Sequence, residues 1–288
     1  MNWLILGGSG QLGRAMEFTL SNLGAKFTIL SHSDLDITNL ENIQESISKF
    51  KPDVVVNGAA WTNVELAQSE FEGALKVNAN GPMHLAKACR SFEVKLVHIS
   101  TDYVFSGPRS TPWTEDSRKN PLSNYGKSKS LGEDLVFENY PSGSIVLRTS
   151  WLYSPWGKNF AKTIARIAIS ETRALEVVCD QIGQPTSAFD LAAQIVNVAS
   201  ADITPGIYHA TNSGEASWYE FAREIFLGLG CDPERVVSIN ATNYDSTVPR
   251  PEYSVLSQRK LLRQGIKPMR NWREALNESL PRIVRDLR

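Results

Sequence analysis

The sequence predicts an α/β fold: a doubly wound parallel sheet with helices on both faces, joined to a smaller, mostly C-terminal α/β lobe. Three observations carry that expectation. Short apolar runs alternate with helix-like stretches through the first half, as when parallel strands are linked by right-handed helical crossovers. A glycine-rich turn follows the first apolar run at once. The second half is less regular, and its strands and helices do not simply continue the alternation.

Residues 2–6, NWLIL, read as a buried parallel strand. Gly7-Gly8-Ser9-Gly10-Gln11-Leu12-Gly13 follows, and 14–23 has helical periodicity with Ala15, Phe18, Leu20 and Leu23 as candidate buried positions. Strand, glycine turn and helix in that order are the setting of a dinucleotide fingerprint in a Rossmann domain. The glycines permit a tight turn and close approach to a pyrophosphate, and the helix start offers free N–H groups to the anion. A strand-to-helix turn that binds nothing does not need four glycines.

Further strands are expected at 26–30, 54–56, 94–100 and 144–149, with helices starting near Asn39 and covering 71–92 and 125–139. The Pro-, Ser- and charge-rich stretch 107–121 reads as a loop. Beyond it, 175–178 and 206–209 read as strands, and 188–199, 217–229 and 272–287 as helices. The expected division is a dinucleotide-binding domain of 1–150 plus about 187–211, and a substrate-binding lobe of about 151–186 plus 212–288. In a doubly wound sheet, ligands sit outside the strand carboxyl ends. Gly7, Gly58-Ala59-Ala60, Thr101 and Thr149-Ser150-Trp151 all follow strands, so they should converge on one crevice.

Bulk properties narrow the function classes. A net charge of −1 supplies no global field for nucleic acid or an anionic membrane, so neither is an expected partner. The apolar runs are too short for a secretory signal or a membrane span, and Cys89, Cys179 and Cys231 form no CxxC pair. These features read as a cytoplasmic protein with reduced, mostly buried thiols. No cluster has metal-ligand spacing, and His84, His98 and His209 read as structural residues.

The chemistry-bearing segments are Ser100-Thr101-Asp102-Tyr103-Val104-Phe105 and Tyr125-Gly126-Lys127-Ser128-Lys129. They supply a hydroxyl, a phenol and an ammonium, the parts needed to pass a proton to a carbonyl oxygen. Tyr125 and Lys129 are four residues apart, on one face of a helix. A free phenol titrates near pH ~10, and a nearby ammonium is expected to lower that value. Tyr-x-x-x-Lys alone also occurs by chance in many helices; the glycine fingerprint gives it weight.

Taken together, these segments resemble the extended short-chain dehydrogenase/reductases and, among them, the dTDP-4-dehydrorhamnose reductases. The pieces that carry the resemblance are GGSGQLG (7–13), DLDITN (34–39), VVVNGAAWTNVE (54–65), STDYVFSG (101–107 with Ser100), YGKSKSLGE (125–133), LRTSWLY (147–153), GKNFAKT (157–163), DQIGQPT (180–186) and RPEYSVL (250–256). The resemblance spans nearly the whole chain. It implies reduction of the C4 ketone of a dTDP-6-deoxy-4-hexulose, the step that forms dTDP-L-rhamnose for polysaccharide biosynthesis.

The resemblance also implies residue roles. Tyr125 would give the proton to the new alkoxide, Lys129 would bind the nicotinamide ribose and tune the phenol, and Thr101 would hydrogen-bond the ketone. Gly7, Gly10, Gln11, Leu12, Gly13, Asp36, Ile37, Ala59, Ala60, Trp61 and Thr62 would bind the cofactor with Tyr125 and Lys129. Asp102, Trp151, Asn159 and Arg250 would meet the nucleotide-sugar substrate together with Thr101. Trp151 reads equally as a packing residue, and Asp102 and Asn159 equally as turn or helix caps. Arg250, between two prolines, reads either as a diphosphate contact or as a solvated loop residue.

The implied cofactor is NADPH, with NADH as the alternative. Ser31-His32-Ser33 follows the second strand without the acid that would repel a 2′-phosphate, and without an arginine to clamp one. Some relatives bind Mg2+ at a homodimer contact through an acid two positions after the third fingerprint glycine. Ala15 stands there in this chain, which counts against that metal and that dimer. Ser106 and Gln68 stand where relatives commonly carry Asp and Glu. Three other readings compete: a reductase of another nucleotide 4-ketosugar, an epimerase or dehydratase, and an NADP-binding regulatory subunit like the methionine adenosyltransferase beta subunit. The dehydratases compared carry an acidic pair after the Thr, where this chain has Asp102-Tyr103.

Overall fold

A computed structural model describes residues 1–107, 109–243 and 248–287. Residues 108, 244–247 and 288, which fall in the expected 107–121 loop and in 212–288, lie outside the described residues. Strands β1 (Asn2–Leu6), β2 (Lys26–Leu30), β3 (Val54–Asn57), β4 (Lys95–Thr101) and β5 (Ser144–Thr149) join the strand Gly206–His209 in one six-stranded sheet. Every pairing is parallel, in the order β2-β1-β3-β4-β5 and then Gly206–His209. β1 lies between β2 and β3, so the windings part there and leave a crevice outside the strand carboxyl ends.

Along the chain the helices are α1 (Gln11–Asn22), α2 (Leu40–Phe50), α3 (Val64–Ser69), α4 (Phe71–Leu75), α5 (Gly81–Ser91) and α6 (Asn124–Asn139). They continue as α7 (Phe160–Ser170), α8 (Ala188–Ser200), α9 (Trp218–Gly228), α10 (Arg259–Arg263) and α11 (Trp272–Leu287). Side chains of a strand alternate between faces. Trp3 and Ile5 accordingly pack with Met16, Leu20, Leu191 and Ile195 of α1 and α8. Leu4 and Leu6 pack on the other face with Ile43, Ile47, Leu85 and Val136 of α2, α5 and α6. A separate core forms from α7, α9 and α11 over the parallel pair Leu175–Val178 and Val236–Ile239, around Ile164, Phe221, Phe226 and Trp272.

Three local expectations are corrected. α1 starts at Gln11 rather than at 14, because Gly10 takes an extended backbone and ends the turn. Its buried face is Leu12, Ala15, Met16 and Leu20, whereas Phe18 and Leu23 are exposed. Phe18 instead meets Phe189 edge-on and carries the Arg282 guanidinium on its face. The expected 71–92 helix is interrupted by a π-helical turn at Lys76–Asn80 between α4 and α5. There Gly132 of α6 sits so close that a Cβ on it would lie 2.1 Å from the Asn78 carbonyl oxygen. The cysteines are all free, but only Cys89 is buried; Cys179 and Cys231 are half-buried. Among the described residues no helix is long and apolar enough to cross a membrane.

α6 lies against β4 and β5 with a polar buried face that includes Ser128, Lys129 and Glu133. Glu133 is fully buried. It takes both ends of a two-pronged pair from Arg148 of β5, Nε to Oε1 and Nη2 to Oε2, each at 2.8 Å. Ser100 of β4 donates to Oε1 at 2.6 Å, and Lys119 Nζ stands 3.3 Å from Oε2. Burial alone would raise the Glu133 pKa; the Arg148 bonds and charge, Lys119 and Ser100 outweigh it and hold the carboxyl below its ordinary range.

Breaking a buried ion pair from one side leaves an uncompensated charge, at a cost of about 3–5 kcal/mol. Glu133→Ala is therefore expected to lower the unfolding free energy by about that amount near neutral pH, read from urea denaturation. Because the folded-state pKa is depressed, Glu133 contributes fully above the ordinary carboxylate range and loses its contribution as pH falls through the lowered value. The gap between wild type and variant should narrow on acidification.

Candidate active site

The crevice at the parting of the windings has a volume of ≈ 920 Å³. Its floor begins with the glycine turn. Gly7 adopts φ +82°, a conformation that glycine takes without strain, and a Cβ there would lie 2.7 Å from Ala59 N. Gly10 precedes α1 with no side chain capping the helix, so the first-turn N–H groups open toward the crevice. Gly13 does not line the crevice. A Cβ on it would lie 2.4 Å from the Gly7 carbonyl oxygen, so its part is to let α1 close onto the turn.

At the end of β2, Asp34 accepts from the Ser31 N–H at 2.8 Å and the Ser31 hydroxyl at 2.6 Å. Those two bonds hold its carboxyl below the usual range. The exposed His32, not Asp34, lines the crevice. Asp36 and Ile37 line it as well, and Asp36 Oδ1 accepts from Thr38 N–H at 2.9 Å. After β3, the stretch Ala59–Thr62 forms one wall. Asn78, from the π-helical turn, clamps that wall: it accepts from Trp61 N–H at 2.8 Å and donates to the Trp61 carbonyl at 2.9 Å and to Ser128 Oγ at 3.0 Å.

Thr101 ends β4 and leads into a tight helical turn at Asp102–Val104. Its hydroxyl donates to Asp102 Oδ1 at 3.0 Å and accepts from Tyr103 N–H at 3.2 Å. α6 starts beside that turn, capped by Ser123 Oγ accepting from Gly126 N–H at 3.1 Å. Glycine at 126 is required, since a Cβ would lie 2.3 Å from the Tyr103 carbonyl oxygen. This close seating sets Tyr125 edge-on against Tyr103, ring centres 5.7 Å apart. One helical turn on, Lys129 is 2% exposed and donates to the Ile99 carbonyl at 2.6 Å.

The electrostatics correct one expectation. Tyr125 is pushed up to about 12, first by burial, with the Thr101 hydroxyl opposing and Asp102 assisting. The ammonium does not bring it below its ordinary value, because desolvation of the phenolate dominates. Lys129 itself is lowered to about 8 by burial, against the pull of Glu133. Asp102, also buried, is raised to about 6, with hydrogen bonds from Ser254 and Thr101 opposing. Near neutral pH the phenol is thus a neutral acid held beside a cation that sheds its proton readily.

The opposite wall comes from the second core. Trp151 has φ +45°, left-handed for a non-glycine residue, and stacks on Trp218 with ring centres 3.5 Å apart and planes 7° apart. Gly183 makes room for the indole: a Cβ there would lie 2.4 Å from it. Asn159 lines the crevice, but its amide is already engaged. It caps α7 through Lys162 N–H at 2.9 Å and donates to Gln11 Oε1 at 2.9 Å and to the Ser154 carbonyl at 2.8 Å.

Of the residues singled out in the sequence, all but Gly13 and Arg250 line this crevice. Arg250 stands outside the crevice lining, with Nη2 paired to Glu65 of α3 at 2.7 Å. The structure adds Tyr103, Lys158, Phe160 and Trp218. Trp218 sits at the start of a helix read only as amphipathic, and Tyr103, Lys158 and Phe160 lie inside segments quoted for the resemblance without a role of their own.

The chain matches the family model described as RmlD substrate binding domain over residues 1–285. It is 42% identical over 285 residues to a dTDP-4-dehydrorhamnose reductase from Streptomyces griseus, covering 98% of this chain and 93% of the relative. It is 37% identical over 285 residues to a dTDP-4-keto-6-deoxy-D-glucose reductase from Streptomyces niveus, covering 99% and 98%. A crystal structure of dTDP-4-dehydrorhamnose reductase from Bacillus anthracis in complex with NADP superimposes with a TM-score of 0.93 at 34% identity, covering 97% of this chain and 98% of that one.

The Trp151 geometry yields an expected outcome. Gly183→Ala should force the indole off its partner and cost about 1–3 kcal/mol from overpacking. The near-ultraviolet circular dichroism of the stacked tryptophans should change markedly; an unchanged spectrum would contradict the assigned contact.

Proposed function

The chain belongs to the RmlD substrate-binding-domain family, and from that premise we propose that it is an NADPH-dependent oxidoreductase reducing the C4 ketone of a dTDP-6-deoxy-4-hexulose to dTDP-L-rhamnose. One observation carries the reading: Thr101, Tyr125 and Lys129 gather on the same crevice as the uncapped glycine turn of α1. Family membership and the named relatives support the substrate class. Free thiols and the absence of a membrane-crossing helix among the described residues fit a cytoplasmic setting.

The residues fit the cofactor. The open N–H groups at the start of α1 suit a pyrophosphate. With Asp34 turned back onto Ser31, the turn just after β2 presents His32 to the crevice, which suits a 2′-phosphate, while the Asp36 carboxylate stands further along and accepts from Thr38 N–H. When bound, the reduced nicotinamide supplies hydride to the ketone carbon.

The chain's own residues handle the oxygen. The Tyr125 phenol donates to the ketone oxygen, and the Thr101 hydroxyl joins it by turning its proton from Asp102 Oδ1 to that oxygen, so that the carbonyl is oriented. As hydride adds to carbon and negative charge grows on oxygen, Tyr125 delivers its proton there. Lys129 holds the cofactor ribose and stabilises the phenolate left behind. Burial suits this direction of reaction, because the phenol remains protonated and the closed surroundings strengthen each charge interaction. Trp151 walls the sugar subsite, and Asp102 faces it. Reduction of another nucleotide 4-ketosugar is the second reading, favoured by the Streptomyces niveus relative.

Purified protein given the ketosugar and NADPH should consume the reduced nicotinamide absorbance and yield dTDP-L-rhamnose, with NADH the poorer donor. Tyr125→Phe should lose about 10²–10⁴-fold in turnover while cofactor affinity is largely kept; undiminished reduction would sink the proposed acid. The rate should fall as pH rises through about 8, where Lys129 loses its proton. Lys129→Met should lack that limb and bind cofactor more weakly.

A further inference from the structure

A buried side-chain chain stands behind Lys129. His98 of β4 is fully buried, and its Nε2 lies 3.5 Å from Lys129 Nζ. Its other nitrogen, Nδ1, lies 3.0 Å from the Asn57 amide nitrogen at the end of β3. The amide's orientation is set by its oxygen, which accepts from Ala59 N–H at 3.1 Å. The Asn57 Nδ2 therefore donates to His98 Nδ1, which must be the unprotonated acceptor. The proton of the neutral ring then sits on Nε2 and faces Lys129.

A ring N–H set against an ammonium is donor against donor. Set against a neutral amine, the same N–H meets a lone pair. We propose that His98, oriented by Asn57, is a positioning residue that turns an N–H toward Lys129 Nζ and biases it toward giving up its proton. This rests on the ketoreductase reading only for its catalytic consequence. His98 cannot pass a proton onward, because its Nε2 already carries one and its Nδ1 faces the Asn57 amide N–H, which cannot accept one. The device therefore tunes Lys129 and does not relay.

The groups around the pair are consistent with this role. From α6, Lys129 is faced by Glu133, whose charge is tied to Arg148 and Lys119, and Tyr125 stands one turn back on the same helix. From β3 comes only the neutral Asn57. Both partners are shifted toward their neutral forms, His98 by burial and by Lys129, and Lys129 by burial.

The test begins with the wild-type protein. ¹⁵N NMR of its histidines should find His98 neutral, protonated at Nε2 and bare at Nδ1, across roughly pH 6–9. A proton on Nδ1 overturns the proposal. Labelled-lysine NMR and the pH–rate profile then follow Lys129. His98→Leu should move both the lysine titration and the alkaline limb upward by about 1 pH unit. His98→Gln, which keeps one acceptor and one donor, should restore the wild-type position. A wild-type profile in His98→Leu, or an equal shift in both variants, overturns it. If His98→Leu does not fold, the wild-type tautomer and the His98→Gln titration decide. Absence of turnover with the ketosugar would count against the proposed reaction alone, since both NMR readouts need no substrate.

Discussion

The site hangs on a buried carboxylate. α6 carries Tyr125, Lys129 and Glu133 at intervals of four, so all three point down one helix face. Glu133 at the root of that face is bound to Arg148 and Ser100. Ser100 and Arg148 are paired across β4 and β5, and the next pair along is Thr101 and Thr149 at the crevice. One ion pair thus ties the helix to both strand ends. It sets the height of Tyr125 and Lys129 relative to Thr101. Such a pair gains stability only where the geometry and extra hydrogen bonds repay desolvation, and here both carboxylate oxygens are engaged.

Burial then sets the proton chemistry. The same closeness that positions the half-buried phenol shields it from water and raises its pKa, while it lowers that of the ammonium. The two shifts move toward each other. Near neutral pH the phenol keeps its proton, and Lys129 one turn along the helix holds its own only weakly. His98 and Asn57 extend this arrangement below the crevice floor, where the backbone N–H of Ala59 fixes the direction of the whole line.

The facing wall is held by packing and strain together. The left-handed backbone of Trp151 is the kind of local cost that surrounding structure must sustain. Trp218 stacks on one face of the indole, and Gly183 leaves space for it. Gln11 links this wall to the glycine turn, since its side-chain oxygen accepts from both Ser154 and Asn159. The residue that opens the first helix therefore also registers the second core against the first.

Much of the fold was legible because its signals are local. Apolar runs, a glycine turn and the spacing of Tyr125 and Lys129 follow from chain geometry, and they determined the sheet, its parallel sense and the crevice. The partners of polar groups were not legible, because they lie far apart in sequence and leave no periodic trace. α6 buries a polar face, so hydrophobicity gives no sign of which side meets the sheet. The pairing of Val236–Ile239 with Leu175–Val178, the clamp from Asn78 and the stack on Trp218 are likewise contacts between distant segments. Arg250 shows the same limit: rigid presentation between prolines was visible, but its ion pair with Glu65 is a tertiary fact. By itself the sequence determined most of the groups that line the crevice and the elements on which they ride. Tertiary structure alone decided their protonation, since burial and hydrogen-bond direction are properties of the packed surroundings rather than of the residue.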